Sequence, residues 1–471
     1  MTTARHTVPA TRPTSDVSAT VGLLGLGGLL VWILICRSWP DIAEALALPG
    51  PRERMSGPLA SLTGLVMAAL PMVIYSIFVE KVHLRASTGL DWAAARTARI
   101  NGNRVAVKLI GLWTTFGAIA LLYWFGRWYW NGTYQFSLVV LAACVLPLVV
   151  FSMPYVAWLD RAMVQPRDAS WHFGAMLLRV PGWEKDQVLK HVRAWTIKGF
   201  FTAFMLSIVP LGFADVVNAN FSAIVGDPVR LGVMLFELLF VIDVQIGTVG
   251  YILTMRPLDA HIRSGNPFLA GWLAAFICYP PFVWGIIGNG LVLNYENNTA
   301  DWGYWLSGND AVLWIWMAWL VFLTACYAWA TVVFGIRFSN LTYRGVITHG
   351  PYRWTRHPAY VSKNLFWWGT VMPFLVTSGS TSDAVRNTLC LLAVNAIYFW
   401  RAKTEEAHLL AEDAKYRDYH AWMAQNGVIT APLVRLQRRL AARWKPDPTD
   451  EAAVAAANAP SQSSGAPSSV S

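Results

Sequence analysis

Ala311-Val-Leu-Trp-Ile-Trp-Met-Ala-Trp-Leu-Val-Phe-Leu-Thr-Ala-Cys-Tyr-Ala-Trp-Ala-Thr-Val-Val-Phe-Gly335 is an apolar run without a single charged side chain. A helix needs roughly twenty apolar residues to cross the hydrocarbon of a bilayer, and only a closed backbone hydrogen-bond pattern survives there. Working outward, runs of similar character fall upstream near 20–36, 59–79, 105–126, 136–159, 197–214, 231–255 and 268–293. Downstream, two shorter runs near 365–377 and 384–400 flank Thr377-Ser-Gly-Ser-Thr-Ser-Asp383 and read as a tight helical hairpin. The expected fold class is therefore all-α, a polytopic transmembrane helical bundle of about ten spans.

Composition agrees. Of 471 residues, 55% are hydrophobic and only 14% charged, against roughly 25% charged in soluble domains. The 25 tryptophans suit a protein with two membrane interfaces, where amphipathic rings settle. A net charge of +10 is modest and spread over loops, so no nucleic-acid partner is expected. Cys36, Cys144, Cys278, Cys326 and Cys390 each stand alone in or beside an apolar run, with no CxxC and no histidine at ligand spacing. They read as buried thiols, with neither a disulfide framework nor a metal site. The first apolar run lacks a small-residue cleavage site and is expected to be a retained helix.

Lys and Arg distribution orients the chain. With a cytoplasmic N-terminus, the inner segments hold about twenty Lys and Arg, including Arg85, Arg96, Arg99, Arg161, Arg193 and Lys198, against about five in the outer loops. The expected location is a multi-pass protein of a bacterial inner or plasma membrane with both termini cytoplasmic. The domain reading is a tail at 1–19, a seven-helix membrane domain at 20–300, a C-terminal membrane domain at 301–445 and a disordered tail at 446–471, where Pro446-Asp-Pro gives way to Ala, Ser and Pro. Gly25-Leu-Gly27-Gly28 has a dinucleotide-loop look, but no strand precedes it, and close helix packing is the better reading.

The chemistry concentrates in Gly350-Pro-Tyr352-Arg353-Trp-Thr-Arg356-His357-Pro358-Ala-Tyr360 and, beyond the hairpin, Arg401-Ala-Lys-Thr-Glu405-Glu406. Pro351 and Pro358 fix the backbone around Arg353, Arg356 and His357. If the last apolar helix runs past Trp400, Arg401 and Glu405 are i, i+4 neighbours, with His408, Glu412, Tyr416 and Tyr419 roughly along the same face. Glu406 is turned by about 100° and is expected to face elsewhere. The bland alternatives are a topogenic loop and a solvated ion pair.

Order and spacing of these groups resemble the isoprenylcysteine carboxyl methyltransferases and the related phospholipid methyltransferases. The shared pattern is a GxYxxxRHPxY loop, a helix hairpin, RxxxEE and a downstream Tyr-x-x-Tyr, met here by Tyr416-Arg-Asp-Tyr419, over about residues 340–435. The resemblance implies S-adenosylmethionine as cofactor and a lipid or isoprenoid acceptor from the bilayer, methylated at the cytoplasmic face. It implies cofactor-binding roles for Tyr352, Arg356, His357, Pro358, Tyr360 and Glu406, and catalytic roles for Arg401 and Glu405 at the methyl acceptor. Where the family often has a small residue after the loop tyrosine, this chain has Val361-Ser362-Lys363-Asn364, adding a cation.

Two other classes stay open. Membrane sterol reductases have a similar C-terminal loop and use NADPH, but lack the paired glutamates. A transporter or lipid-handling protein would account for Glu237 and Asp243 inside an apolar run. Pro280-Pro281 predicts a kink and fits a lipid-access groove or a transport path. The polar stretch from Glu80 to Trp92 reads as a topogenic loop, and 171–195 as an interfacial helix.

Overall fold

Polar caps mark the starts of the helices. In the computed structural model, Asn101 Oδ1 accepts from the Arg104 amide (3.0 Å), Asn309 Oδ1 from Val312 (3.2 Å) and Asp227 Oδ1 from Val229 (2.9 Å). Each cap satisfies a first-turn amide that has no partner within the helix. The structure describes residues 9–127, 133–288 and 291–443. The expected tail at 446–471 lies outside the described residues.

Six of the described helical segments are long and apolar enough to cross a membrane: Ala19–Arg37, Pro58–Val79, Gly102–Gly126, Gln135–Ala162, Lys185–Asn218 and Asp310–Val332. The chain is an all-α, multi-pass membrane bundle. Among the described residues the strands are four two-residue pieces, Ser264–Gly265 antiparallel to Thr342–Tyr343 and Ile287–Gly288 parallel to Leu293–Asn294.

The drawing of ten full spans does not hold everywhere. Residues 268–293 form no single helix: Leu269–Phe276 stops, Phe282–Ile286 adds a turn, and an extended piece follows. Pro280-Pro281 removes two amide donors and crowds the preceding carbonyls, which breaks the helix outright. The first arm of the hairpin is the 14-residue helix Pro358–Val371, about 21 Å long at 1.5 Å per residue, too short for a hydrocarbon layer of roughly 30 Å. The 171–195 stretch is likewise split. Ala169–Leu177 ends before Pro181-Gly182, where Gly182 has φ +89°, and Lys185 begins a new helix to Ile208.

Helix Pro228–Ile252 lies outside those six and packs against Asp310–Val332, with its second half from Val241 to Tyr251 almost wholly buried. Asp243 there accepts a hydrogen bond from Thr331 of the neighbouring helix. Glu237 is only partly buried and stands off the candidate site. Helix Ala19–Arg37 packs on Pro58–Ile74 through the glycine run. A Cβ at Gly28 would stand 2.1 Å from the Met67 carbonyl oxygen, and one at Gly25 2.7 Å from Met72 Sδ. Close helix approach, and no dinucleotide loop, is what these glycines provide.

Candidate functional site

The signature loop is held from both ends. Gly350 adopts φ +58°, and a Cβ there would meet Val333 Cγ1 at 2.6 Å, so only glycine lets the loop turn so close under Asp310–Val332. Pro358 occupies the first turn of Pro358–Val371, where its missing amide costs nothing. Between them Arg356, His357 and Tyr360 are delivered against helix Thr381–Glu412, which does run on past Trp400.

Two charge centres result. Glu406 Oε1 takes Arg356 Nε at 2.8 Å and His357 Nε2 at 3.1 Å, while its Oε2 lies 2.9 Å from Lys403 Nζ and 3.7 Å from His420 Nε2. Burial alone would raise this carboxyl, but hydrogen bonds from His357 and His420 and the Arg356 charge hold it far below the ordinary glutamate range. Glu405 Oε1 accepts the Tyr360 hydroxyl at 2.5 Å and Arg401 Nε at 3.2 Å. Arg401, 2% exposed, also donates from Nη2 to Asn340 Oδ1 at 2.8 Å and lies over the rings of Tyr279 and Tyr360 at 5.2 and 5.1 Å. The His357 and Tyr360 rings stack at 5.6 Å, 5° from parallel.

A cavity opens where these groups converge. Six of the eight expected residues line it: Tyr352, Arg356, His357, Tyr360, Arg401 and Glu405. Pro358 shapes the backbone behind it, and Glu406 stands back from the wall, gripping Arg356 and His357. Glu406 faces away from Arg401 and Glu405, as helical periodicity implies. The loop wraps that side of the helix and engages it through Arg356 and His357. The expected single stripe to Tyr419 is interrupted. The helix ends at Glu412, Asp413 caps a new one at Ala414–Asn426 by accepting from Lys415 N at 2.7 Å, and Tyr416 and Tyr419 reach the cavity from there. Tyr419 donates to the Tyr352 carbonyl at 2.7 Å, tying that helix to the loop.

Lys363 lines the cavity too, with Nζ 5.9, 5.1 and 5.6 Å from the rings of Tyr327, Trp367 and Tyr398. Tyr279 and Asn340 escaped sequence reasoning. They join Arg401 across 122 and 61 residues, and neither lies in a charged motif. His408, on the wall beside Glu405, has its pKa pushed down to about 4 by burial and by the Arg193 charge, and its Nε2 lies 2.9 Å from Ser264 Oγ.

One lining residue keeps an unmatched donor. Arg356 Nη1 is buried and has no hydrogen-bond partner among the described residues, although the same side chain is ion-paired through Nε. A buried guanidinium donor is costly to leave unmatched, and a carboxylate is its natural complement. The enclosed volume is about 180 Å³, below the roughly 300 Å³ at which ligand sites begin, so a nucleotide-sized ligand must displace side chains to enter. Among the described residues no cluster of His, Cys, Asp and Glu could hold a metal ion.

Residues 310–411 match the isoprenylcysteine carboxyl methyltransferase (ICMT) family. The match begins with helix Asp310–Val332, takes in the loop and the Arg401-to-Glu406 segment, and stops short of Tyr416. It supports a membrane methyltransferase. No curated protein and no solved structure matches the chain.

Proposed function

We propose that the protein transfers a methyl group from S-adenosylmethionine to a lipid or lipid-like acceptor, an isoprenylcysteine-type carboxylate or a phospholipid amine, at the cytoplasmic membrane face. The observation that carries this reading is that Arg356, which keeps an unmatched buried donor, lines a cavity together with Glu405, Arg401 and aromatic side chains. The family match over the same residues supports the reaction class, and the Lys and Arg excess of the loops around the site supports the face.

Residue types fit the donor. Arg356, steadied by Glu406, is the partner for its carboxylate, and Glu405 offsets its positive charge. Tyr352, Tyr416 and Tyr419 supply aromatic surface. When bound, S-adenosylmethionine supplies an activated methyl group, and the protein's task is then chiefly to align the acceptor. Arg401, anchored by Asn340 and Glu405, is placed to orient an anionic acceptor group. A carboxylate acceptor loses no proton. An amine acceptor does, and Glu405 is the carboxylate on the wall that could take it.

Detergent-purified protein incubated with tritiated S-adenosylmethionine and a total lipid extract should transfer label into the lipid fraction. No transfer by wild-type protein to any lipid or prenylated-peptide acceptor would count against the reading.

A further inference from the structure

A second cavity, of about 1070 Å³, shares no lining residue with the first. It lies between residues 84–93, 163–170, helix Lys185–Ile208 and the segment 254–264. Its wall carries five formal cations, Arg167, Lys190, Lys198, Arg256 and Arg263. The two carboxylates on that wall are already engaged. Asp91 Oδ1 accepts from the amides of Ala93 and Ala94, both at 2.9 Å, and Asp168 Oδ1 accepts from Trp171 N at 3.1 Å and lies 3.7 Å from Lys108 Nζ.

Among the described residues, only Arg263 of the five cations has a carboxylate within ion-pair distance, Asp259 at 3.3 Å. Arg256 Nη1 reaches only neutral acceptors, the Thr88 carbonyl at 3.1 Å and His261 Nε2 at 3.4 Å. Lys198 Nζ lies over Trp195 at 4.3 Å, and the Arg167 guanidinium over Trp171 at 4.7 Å. Cations gathered in a half-open cavity repel one another, and an anion relieves that cost. Tryptophan beside lysine and arginine is also the composition of a membrane interface.

Part of the lining is apolar, including Leu90, Leu159 and Met163. Leu159 comes from the end of Gln135–Ala162, a helix that leaves Leu146 and Phe151 exposed, and Met163 directly follows it. A ligand with an anionic head and an apolar tail matches both kinds of lining. Basic pockets between membrane helices hold such headgroups.

We propose that this cavity binds the phosphate headgroup of an anionic membrane phospholipid, with Lys198 and Arg256 as its inner contacts and Lys190 and Arg167 at the rim. The site is separate from the methyl-transfer chemistry and stands whether or not that reading holds.

The test is thermal melting of the full-length protein in neutral detergent, titrated with phosphatidylglycerol, phosphatidylcholine or inorganic phosphate. Phosphatidylglycerol should raise the melting temperature saturably, while phosphatidylcholine and inorganic phosphate leave it unchanged. The double variant Lys198→Gln/Arg256→Gln should need at least tenfold more phosphatidylglycerol for half-saturation. If that variant does not fold, Lys190→Gln/Arg167→Gln at the exposed rim should raise the half-saturating concentration at least threefold. An equal response to phosphatidylcholine or to inorganic phosphate, or an unchanged half-saturation in the folded variant, would overturn the proposal.

Discussion

Two buried charge networks lie in different halves of the molecule and differ in one respect. Around Asp160, with its side chain fully enclosed, Arg104 Nη2 approaches to 2.6 Å and Lys108 Nζ to 2.9 Å, and Lys108 also sits 3.7 Å from Asp168. Every carboxylate there answers a cation, and helices Gly102–Gly126, Gln135–Ala162 and Ala169–Leu177 are tied together. Around Glu406 the pairing is as dense, but Arg356 keeps one buried donor unmatched and Glu405 faces a cavity. A network closed on itself holds helices. One left open toward a cavity is where a ligand belongs.

Breaking the closed network should cost most. Asp160→Ala strands Arg104 and leaves the buried Lys108 only Asp168 at 3.7 Å, and should destabilise the protein by about 3–5 kcal/mol, read as a lower melting temperature in detergent. Arg356→Met should cost less than half of that, because Glu406 keeps Lys403, His357 and His420. Equal losses would erase the contrast.

Within the open network, Arg401→Ala should slow turnover at least tenfold, about 1.4 kcal/mol on the barrier, with donor affinity changed much less. A loss of donor binding in proportion to activity would place Arg401 in the donor pocket. Unchanged activity would make it an anchor of the helix alone.

A further effect is on pH dependence. His408 ordinarily titrates at 6.5 and is pushed down to about 4 in the fold. The folded state therefore binds that proton more weakly. Its contribution to stability is complete above pH 6.5 and is lost as the pH falls from 6.5 towards 4. Glu406, held below its ordinary value of 4.5, stays ionised across that window and loses its contribution only as the pH falls further. His408→Gln should flatten the decline in melting temperature between pH 6.5 and 4, and an unchanged slope would count against this assignment.

Bilayer physics made the fold class readable, because a run such as 311–335 has few other homes. It could not decide whether a shorter or proline-broken run crosses. Pro280-Pro281 read as a kink but ends the helix, and Pro358–Val371 is helical yet short. Most candidate site residues were legible because they cluster in two motifs. The turned face of Glu406 was legible but its partners were not: helical periodicity gives the angle between side chains but not which neighbour wraps the far side. Here the loop carrying Arg356 and His357 does so. Tyr279 and Asn340 were invisible for the same reason, since only tertiary packing brings them to Arg401. Lys363 was visible as a departure from the family pattern, but its aromatic cage of Tyr327, Trp367 and Tyr398 was not.

The claim that Arg356 is an open donor for a carboxylate-bearing cofactor can be measured by calorimetric titration of the full-length protein with S-adenosylmethionine and, separately, with NADPH. Wild-type protein should bind S-adenosylmethionine and not NADPH. Folded Arg356→Met should lose at least tenfold in affinity, about 1.4 kcal/mol, the low end for a charge-assisted hydrogen bond. Binding of NADPH without S-adenosylmethionine, or full S-adenosylmethionine affinity in Arg356→Met, would contradict the account.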